Sequence, residues 1–273
     1  MATPSRIAVV TGGSGTLGLA MARALAESGA GVVLLARGAE ALTAAVERLR
    51  AEGHAAAGFT CDVLDEADLE RAVEQTLAWA ETTAGERRCD VLVNAAGGNR
   101  AGATVMPEGS FADLSAADLR GVVDLNLLGT VLPCRAFAKT MIARRSGCIV
   151  NVSSMAADRP LTRVAGYAAA KAAVDNFTRW LAVELATKYG EGLRVNAIAP
   201  GFFLAEQNRA LLTRDDGSLT ARGQTIVDHT PAGRFGRPEE LASTLLWLCD
   251  PASGFVNGVV VPVDGGFSAF SGV

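Results

Sequence analysis

The chain has 273 residues, 49% of them hydrophobic, 5% aromatic and 20% charged, with a net charge of -4. That length suits one sizeable α/β domain, and an acidic chain with no basic face is not expected to bind nucleic acid. No run approaches the roughly eighteen consecutive apolar residues that span a bilayer, so no membrane partner is expected.

With so few aromatic residues the core must be built from Ala, Val, Leu and Ile, which suits a parallel sheet covered by helices on both faces. Met1 to Arg6 lead straight into a strand-like run, and no signal peptide is read there. The five cysteines, Cys61, Cys89, Cys134, Cys148 and Cys249, are odd in number and include no Cys-x-x-Cys pair. They read as reduced core residues of a cytoplasmic protein. His54 and His229 are the only histidines, so neither a metal site nor an imidazole base is expected.

Apolar, strand-like runs recur at 7–11, 32–36, 56–60, 90–94, 148–153, 193–198 and 258–263. Most are separated by stretches of helical period: Leu17, Ala20, Met21, Ala24 and Leu25 share one face, and Gly29 ends that helix. Such alternation predicts right-handed crossovers and a doubly wound, Rossmann-type sheet of seven parallel strands with helices on both faces. Nothing in residues 1–273 marks a linker, repeat or low-complexity segment, so a single domain is expected. The longest irregular region, 199–232, is polar (Glu206, Gln207, Asn208, Arg209, Arg214, Asp215, Asp216). It suits a lid over a ligand, or an ordinary surface insertion.

The first strand runs into Thr11-Gly12-Gly13-Ser14-Gly15-Thr16-Leu17-Gly18, where Gly13, Gly15 and Gly18 fit G-x-G-x-x-G between a strand and an amphipathic helix. Glycines let the backbone approach a pyrophosphate, and the helix start offers free N–H groups and a positive dipole end. The second strand ends at Ala36-Arg37, where an NAD enzyme often carries an acid for the ribose 2′-hydroxyl. A missing acid beside an arginine favours a 2′-phosphate, hence NADP(H), without excluding NAD(H); Arg37 also fits a solvated charge. Asp62-Val63 closes the third strand, and the Asp62 carboxylate could face an adenine amino group or cap the next helix. The fourth ends in Asn94-Ala95-Ala96-Gly97, small residues that leave space for a flat ring at a strand carboxyl end.

Ser153, Ser154, Tyr167 and Lys171 follow the fifth strand. Tyr167 and Lys171 are four apart in an alanine-rich, helix-forming segment and so share a face. A phenol titrates near pH 10, and an ammonium one turn away is expected to draw that value down so the phenol can exchange a proton. A serine hydroxyl from the preceding strand could hold a substrate oxygen beside it. Taken alone, the pair also fits a surface Tyr and Lys.

In combination these motifs resemble the short-chain dehydrogenase/reductase family over essentially the whole chain. The resemblance rests on the glycine turn, Asn94-Ala-Ala-Gly97, Asn126-Leu-Leu-Gly129, Ser154 thirteen residues before Tyr167, Lys171 and Pro200-Gly201. It implies that Ser154 polarises the substrate oxygen, Tyr167 transfers the proton, and Lys171 lowers the tyrosine pKa and binds the nicotinamide ribose. Asn126 would hold a relay water, and Pro200-Gly201 would cover the nicotinamide. Two positions depart from the pattern: Thr16 replaces a glycine, and Ala205 stands where many relatives carry a threonine for the carboxamide.

Ala96-Gly-Gly-Asn99, the stretch from Pro200 to Leu212, His229 to Gly236 and the tail from Asp264 to Val273 resemble the D-mannonate oxidoreductase (fructuronate reductase) branch. That implies reversible reduction of D-fructuronate, a keto sugar acid, to D-mannonate. Its carboxylate and hydroxyls call for a cation and amides. Asn99, Asn208 and Arg209 are the preferred substrate residues beside Ser154, with Arg100, Arg159, Arg163 and Gln207 also available. Alternatives are another ketone reductase, of gluconate 5-dehydrogenase or 3-oxoacyl-carrier-protein reductase type, and a non-catalytic cofactor-binding scaffold. Relatives are usually tetramers, so a homotetramer is expected.

Overall fold

The computed structural model describes residues 3–272. Its strands are β1 (Arg6–Thr11), β2 (Ala30–Ala36), β3 (Ala56–Thr60), β4 (Val91–Asn94), β5 (Gly147–Val152), β6 (Leu193–Pro200) and β7 (Val260–Val263). They form one parallel sheet in the order β3-β2-β1-β4-β5-β6-β7. The order reverses between β1 and β4, which opens a crevice at the carboxyl edge. All seven expected strands are present, as the expected fold class requires.

Residues alternate across the sheet. Ala8, Val10, Val32, Leu34 and Val150 face α1 (Thr16–Glu27), α2 (Ala39–Ala51) and α9 (Ala242–Cys249). Val9, Val33, Leu35, Leu92 and Ile149 face α3 (Glu66–Ala84), α5 (Gly129–Arg144) and α6 (Ala165–Tyr189). Small and β-branched side chains fill both layers, as buried parallel strands require. Local signals set the helix ends: Asp65 accepts from the Asp68 N–H at 2.8 Å to start α3, and Gly85 closes it at a φ of 76°.

The helix α4 (Ala116–Val123) continues through a wide, π-type turn at Asp124–Leu128 into α5, giving one 29-residue segment, Ala116–Arg144. By length and composition this segment could cross a bilayer. Its inner face is already buried against the sheet through Cys134, Phe137 and Met141, as in a core helix.

The region 199–232 departs from expectation. It is not irregular: it contains α7 (Glu206–Leu212) and α8 (Ala221–Asp228), joined by a turn in which Thr213 bridges to Leu219. Leu212, Ile226 and Phe235 form a small core of their own under these helices. The side chains of Glu206 and Gln207, and residue Val273 of the tail, lie outside the described residues.

Phe137 is wholly inaccessible among the α5 and α6 contacts. Phe137→Ala should lower the unfolding free energy by about 3–5 kcal/mol, read as a lower denaturant midpoint at an unchanged slope.

Candidate active site

The glycine turn is shaped by close backbone approach. Gly12 has a φ of 64°, and a Cβ there would lie 2.9 Å from the Ala95 oxygen and Ala96 backbone. A Cβ on Gly18 would come within 2.3 Å of the Gly12 oxygen. Thr16, by contrast, starts α1 without a positive φ, so that position does not need glycine's freedom. Gly15 caps the helix without a side chain. Among the described residues no protein acceptor takes the N–H of Thr16, Leu17 or Gly18. A groove of about 760 Å³ opens here, lined by Gly12, Ser14, Gly15, Thr16, Leu17, Gly18, Ala95, Ala96 and Gly97 among others. Unpaired N–H groups at a helix start beside a groove fit a dinucleotide pyrophosphate.

On the adenosine side, Arg37 is exposed beyond the end of β2 and Asp62 stands past β3. Asp62 accepts from the Leu64 N–H at 3.0 Å, so it shapes a turn, while Asp65 performs the capping. Val63 is buried. Asn94 contributes no side chain to the crevice: its amide donates to Asn151 Oδ1 at 2.9 Å and Cys134 Sγ at 3.1 Å inside the sheet. Only its backbone is placed to meet a ligand. Gly201 follows β6 so tightly against Asp264 that a Cβ would lie 2.6 Å from the Asp264 Cα. Ala205, with no hydroxyl to offer, lines the glycine groove.

Ser154, Tyr167 and Lys171 come together. Lys171 is buried and donates to the Val152 oxygen at 2.7 Å, and its Nζ lies 5.7 Å from the Tyr167 ring centre. The Ser154 hydroxyl accepts from the Ala156 N–H at 3.2 Å and stands close enough to the phenol to pull its pKa down. Asn126 is fully buried in the wide turn. Its amide donates to the Gly98 oxygen at 2.7 Å and the Val122 oxygen at 2.8 Å, and its Oδ1 accepts from the Gly98 N–H at 3.2 Å. A Cβ on Gly97 would meet Asn126 Oδ1 at 2.7 Å and Lys171 Nζ at 3.4 Å, so the two side chains face each other where Gly97 leaves room.

The electrostatics differ from expectation. Protein atoms crowd the Tyr167 hydroxyl although the ring keeps some exposed surface, and desolvation pushes its pKa up while the Ser154 hydrogen bond pulls it down. Lys171 does not lower it in this arrangement, because its ammonium is turned to the Val152 carbonyl and is itself desolvated. Burial draws Lys171 down to about 8, opposed by the charge of Asp175 one turn along α6. Burial in turn pushes Asp175 above the usual carboxylate range, against Ser153, Arg179 and Lys171. Asp175 was missed in the sequence, although its spacing from Lys171 is the same four residues that pair Lys171 with Tyr167.

The proposed substrate residues are more scattered. Asn99 is exposed and donates to Thr104 Oγ1 at 2.9 Å. Asn208 is spent on the start of α7: its Oδ1 accepts from the Ala205 N–H and its Nδ2 donates to the Phe203 oxygen, each at 2.9 Å. It therefore holds a helix together, where a free amide was expected. Arg209 is exposed on α7, Arg100 pairs with Asp118, and Arg159 pairs with Asp158 and donates to the Ser268 oxygen.

Comparison with known proteins gives this arrangement its family. A family profile described as Enoyl-(Acyl carrier protein) reductase matches residues 13–268. The Bacillus subtilis oxidoreductase UxuB, itself uncharacterized, is 46% identical over 98% of this chain and 96% of its own length. Galactitol 2-dehydrogenase (L-tagatose-forming) of Cereibacter sphaeroides is 36% identical over 96% of this chain and 95% of its own. A crystal structure from Haemophilus influenzae, provisionally named a D-mannonate oxidoreductase and holding NAD, superposes with a TM-score of 0.89 at 41% identity, covering 99% of this chain and 97% of that one. The chain belongs to the short-chain dehydrogenase/reductase family and is an oxidoreductase of CH–OH groups that uses NAD(P).

Removing the Asp175 charge should destabilise the Lys171 ammonium and move its pKa below about 8. If turnover needs that ammonium, Asp175→Asn should lose kcat/KM at lower pH than the wild type on the alkaline limb. A pH–rate profile of both proteins checks this, and an unshifted limb would remove Asp175 from the site.

Proposed function

We propose that this chain is an NAD(P)H-dependent reductase of keto sugar acids that interconverts D-fructuronate and D-mannonate. The observation that carries the catalytic part is the gathering of Ser154, Tyr167 and Lys171 at the carboxyl end of β5, beside the glycine groove. The substrate part is supported by the stretch from Pro200 to Leu212, by the tail, and by the name given to the Haemophilus structure. A gluconate 5-dehydrogenase activity is the second reading. It is favoured by a Gluconobacter oxydans enzyme of that name at 35% identity and by a Burkholderia cenocepacia structure so named, with NADP and tartrate, at 32%.

In this mechanism Ser154 donates a hydrogen bond to the ketone oxygen and fixes it against the phenol. Tyr167 delivers its proton to that oxygen as the carbonyl becomes an alcohol, and takes it back in the reverse direction. When bound, the reduced nicotinamide supplies the hydride to the carbonyl carbon. Lys171 would hold the ribose hydroxyls of the bound cofactor, and Ser154, whose hydrogen bond already pulls the phenol pKa down, stabilises the phenolate left behind. Asn126, across Gly97 from Lys171, orders the path by which the phenol regains a proton. The free N–H groups of Thr16, Leu17 and Gly18 would hold the pyrophosphate, and Ala95, Ala96, Gly97, Pro200 and Gly201 would border the ring. Ala36 and Arg37 favour NADP(H), and the NAD held by the Haemophilus protein supports use of NAD(H) as well. The pair α7 and α8 acts as the lid of a single domain spanning 1–273.

Five buried free thiols support a reducing, cytoplasmic setting. Exposed apolar side chains on α6 (Trp180, Val183) and near the carboxyl end (Trp247, Phe255) support assembly with further copies as a homotetramer.

Nicotinamide absorbance followed with both cofactors should show the highest kcat/KM on fructuronate among fructuronate, tagaturonate, 5-keto-gluconate and a 3-oxoacyl thioester. Tyr167→Phe should cut turnover by roughly 10²–10⁴-fold with cofactor affinity little changed; undiminished turnover would reject its proton-transfer role. Ala36→Asp should move the ratio of kcat/KM values toward NAD(H), and an unaltered ratio would exclude this strand end from cofactor choice.

A further inference from the structure

Between Ser154 and Tyr167 the chain makes an excursion whose far end touches two other segments. The Arg163 oxygen accepts from the Val105 N–H at 2.9 Å, which ties it to the loop after β4. Arg222, in the first turn of α8, reaches Thr162 Oγ1 with Nη1 at 3.5 Å. The post-β4 loop, the catalytic excursion and the lid helix thus meet at Thr162 and Arg163, with the Arg222 guanidinium on the residue next to Arg163.

This meeting is unfavourable in three separate ways. Arg163 has a φ of 79°, a left-handed conformation that a long side chain rarely adopts. Arg222 places a cation at the positive end of a helix dipole. The two charges also repel: burial and the Arg163 charge both draw the Arg222 pKa down. Among the described residues no carboxylate pairs with either group, whereas nearby Arg100 and Arg159 each have an acid partner. One anion seated between them would relieve the repulsion and the helix-end penalty together, and would supply the acceptors that two planar forks can grip.

We propose that Arg163 and Arg222 form a two-guanidinium clamp for the carboxylate of the keto acid, at the end of the substrate remote from the ketone held by Ser154 and Tyr167. The clamp rests on the reading of this protein as a keto-acid reductase and names the pair of cations that selects that class. Arg163 precedes Tyr167 by four residues, so the carboxylate and the reacting carbon are anchored from one continuous segment. Arg222 comes from the lid, so an acidic substrate joins lid and catalytic segment directly, which a neutral ketose cannot do.

The test compares the wild type with Arg163→Asn, chosen because Asn tolerates the left-handed conformation, and with Arg222→Gln. The ratio of kcat/KM for D-fructuronate to that for D-fructose should fall about 30-fold in each variant, the value of a charge-assisted hydrogen bond, mostly through KM. Arg163→Lys, which keeps the charge and loses the fork, should recover part of the ratio. A second readout needs no turnover: tartrate should raise the melting temperature of the cofactor-loaded wild type, and by less than half as much in either variant. Turnover of fructuronate with ratios unchanged in both variants would overturn the clamp and leave the catalytic reading standing. A tartrate shift that depends on both arginines, without reduction of fructuronate, would uphold the clamp and overturn that substrate. Neither keto-acid turnover nor a tartrate shift in the wild type would overturn both.

Discussion

The hydrogen bond from the buried Lys171 ammonium to the Val152 carbonyl is the constraint on which the site depends. It fastens α6 to the carboxyl end of β5 and so fixes where the face of that helix points. One turn earlier on that face stands Tyr167, and the strand end delivers Ser154 against it. One turn later stands Asp175, whose charge opposes the desolvation of the ammonium. Holding this cation away from water is costly: lowering its pKa from 10.5 to about 8 corresponds to roughly 3 kcal/mol of disfavoured charge. The parallel sheet provides the rigidity to carry that cost, because β5 is central and paired on both sides.

Absence of side chains does as much as their presence. Gly97 keeps Lys171 and Asn126 within sight of each other, and a methyl group there would collide with the Asn126 amide oxygen and touch the Lys171 ammonium. Gly12 and Gly18 let β1, α1 and the end of β4 approach so closely that the helix start is left facing a groove. Some of the polar groups that remain inside form a chain: the Asn94 amide donates to Asn151 and the Asn151 amide to Thr178, which stitches β4 and β5 to α6 just below the site.

Much of this was legible in the sequence for a plain reason. A strand buried on both faces must be an unbroken apolar run, and a glycine turn between strand and helix has few structural alternatives. The spacing of Tyr167 and Lys171 fixed their common face. What sequence could not give was the state of the groups once assembled: the phenol is pushed up by crowding where a lowered pKa was expected. Asn94 and Asn208 looked like ligand-binding amides and proved to be committed to the protein's own backbone and core, because an amide serves either use equally well. The short helices α7 and α8 were hidden by their polar surface, and only the contacts of Leu212, Ile226 and Phe235 reveal the core beneath them. Arg222 lies 59 residues beyond Arg163, and nothing local links the two.

The wide turn at Asp124–Leu128 has a consequence for how the long helix is numbered in space. Side chains substitute there for the regular ladder, with the Asn126 amide on the Val122 oxygen and the Thr130 hydroxyl on the Asn126 oxygen. A surplus residue held in this way rotates everything downstream by about 100° relative to an unbroken spiral. A helical wheel drawn through Ala116–Arg144 as one cylinder would therefore misplace an entire face on one side of Asn126. The segment behaves as two keys cut at different angles on a single shaft, one turned toward α6 and the catalytic loop, the other toward the sheet.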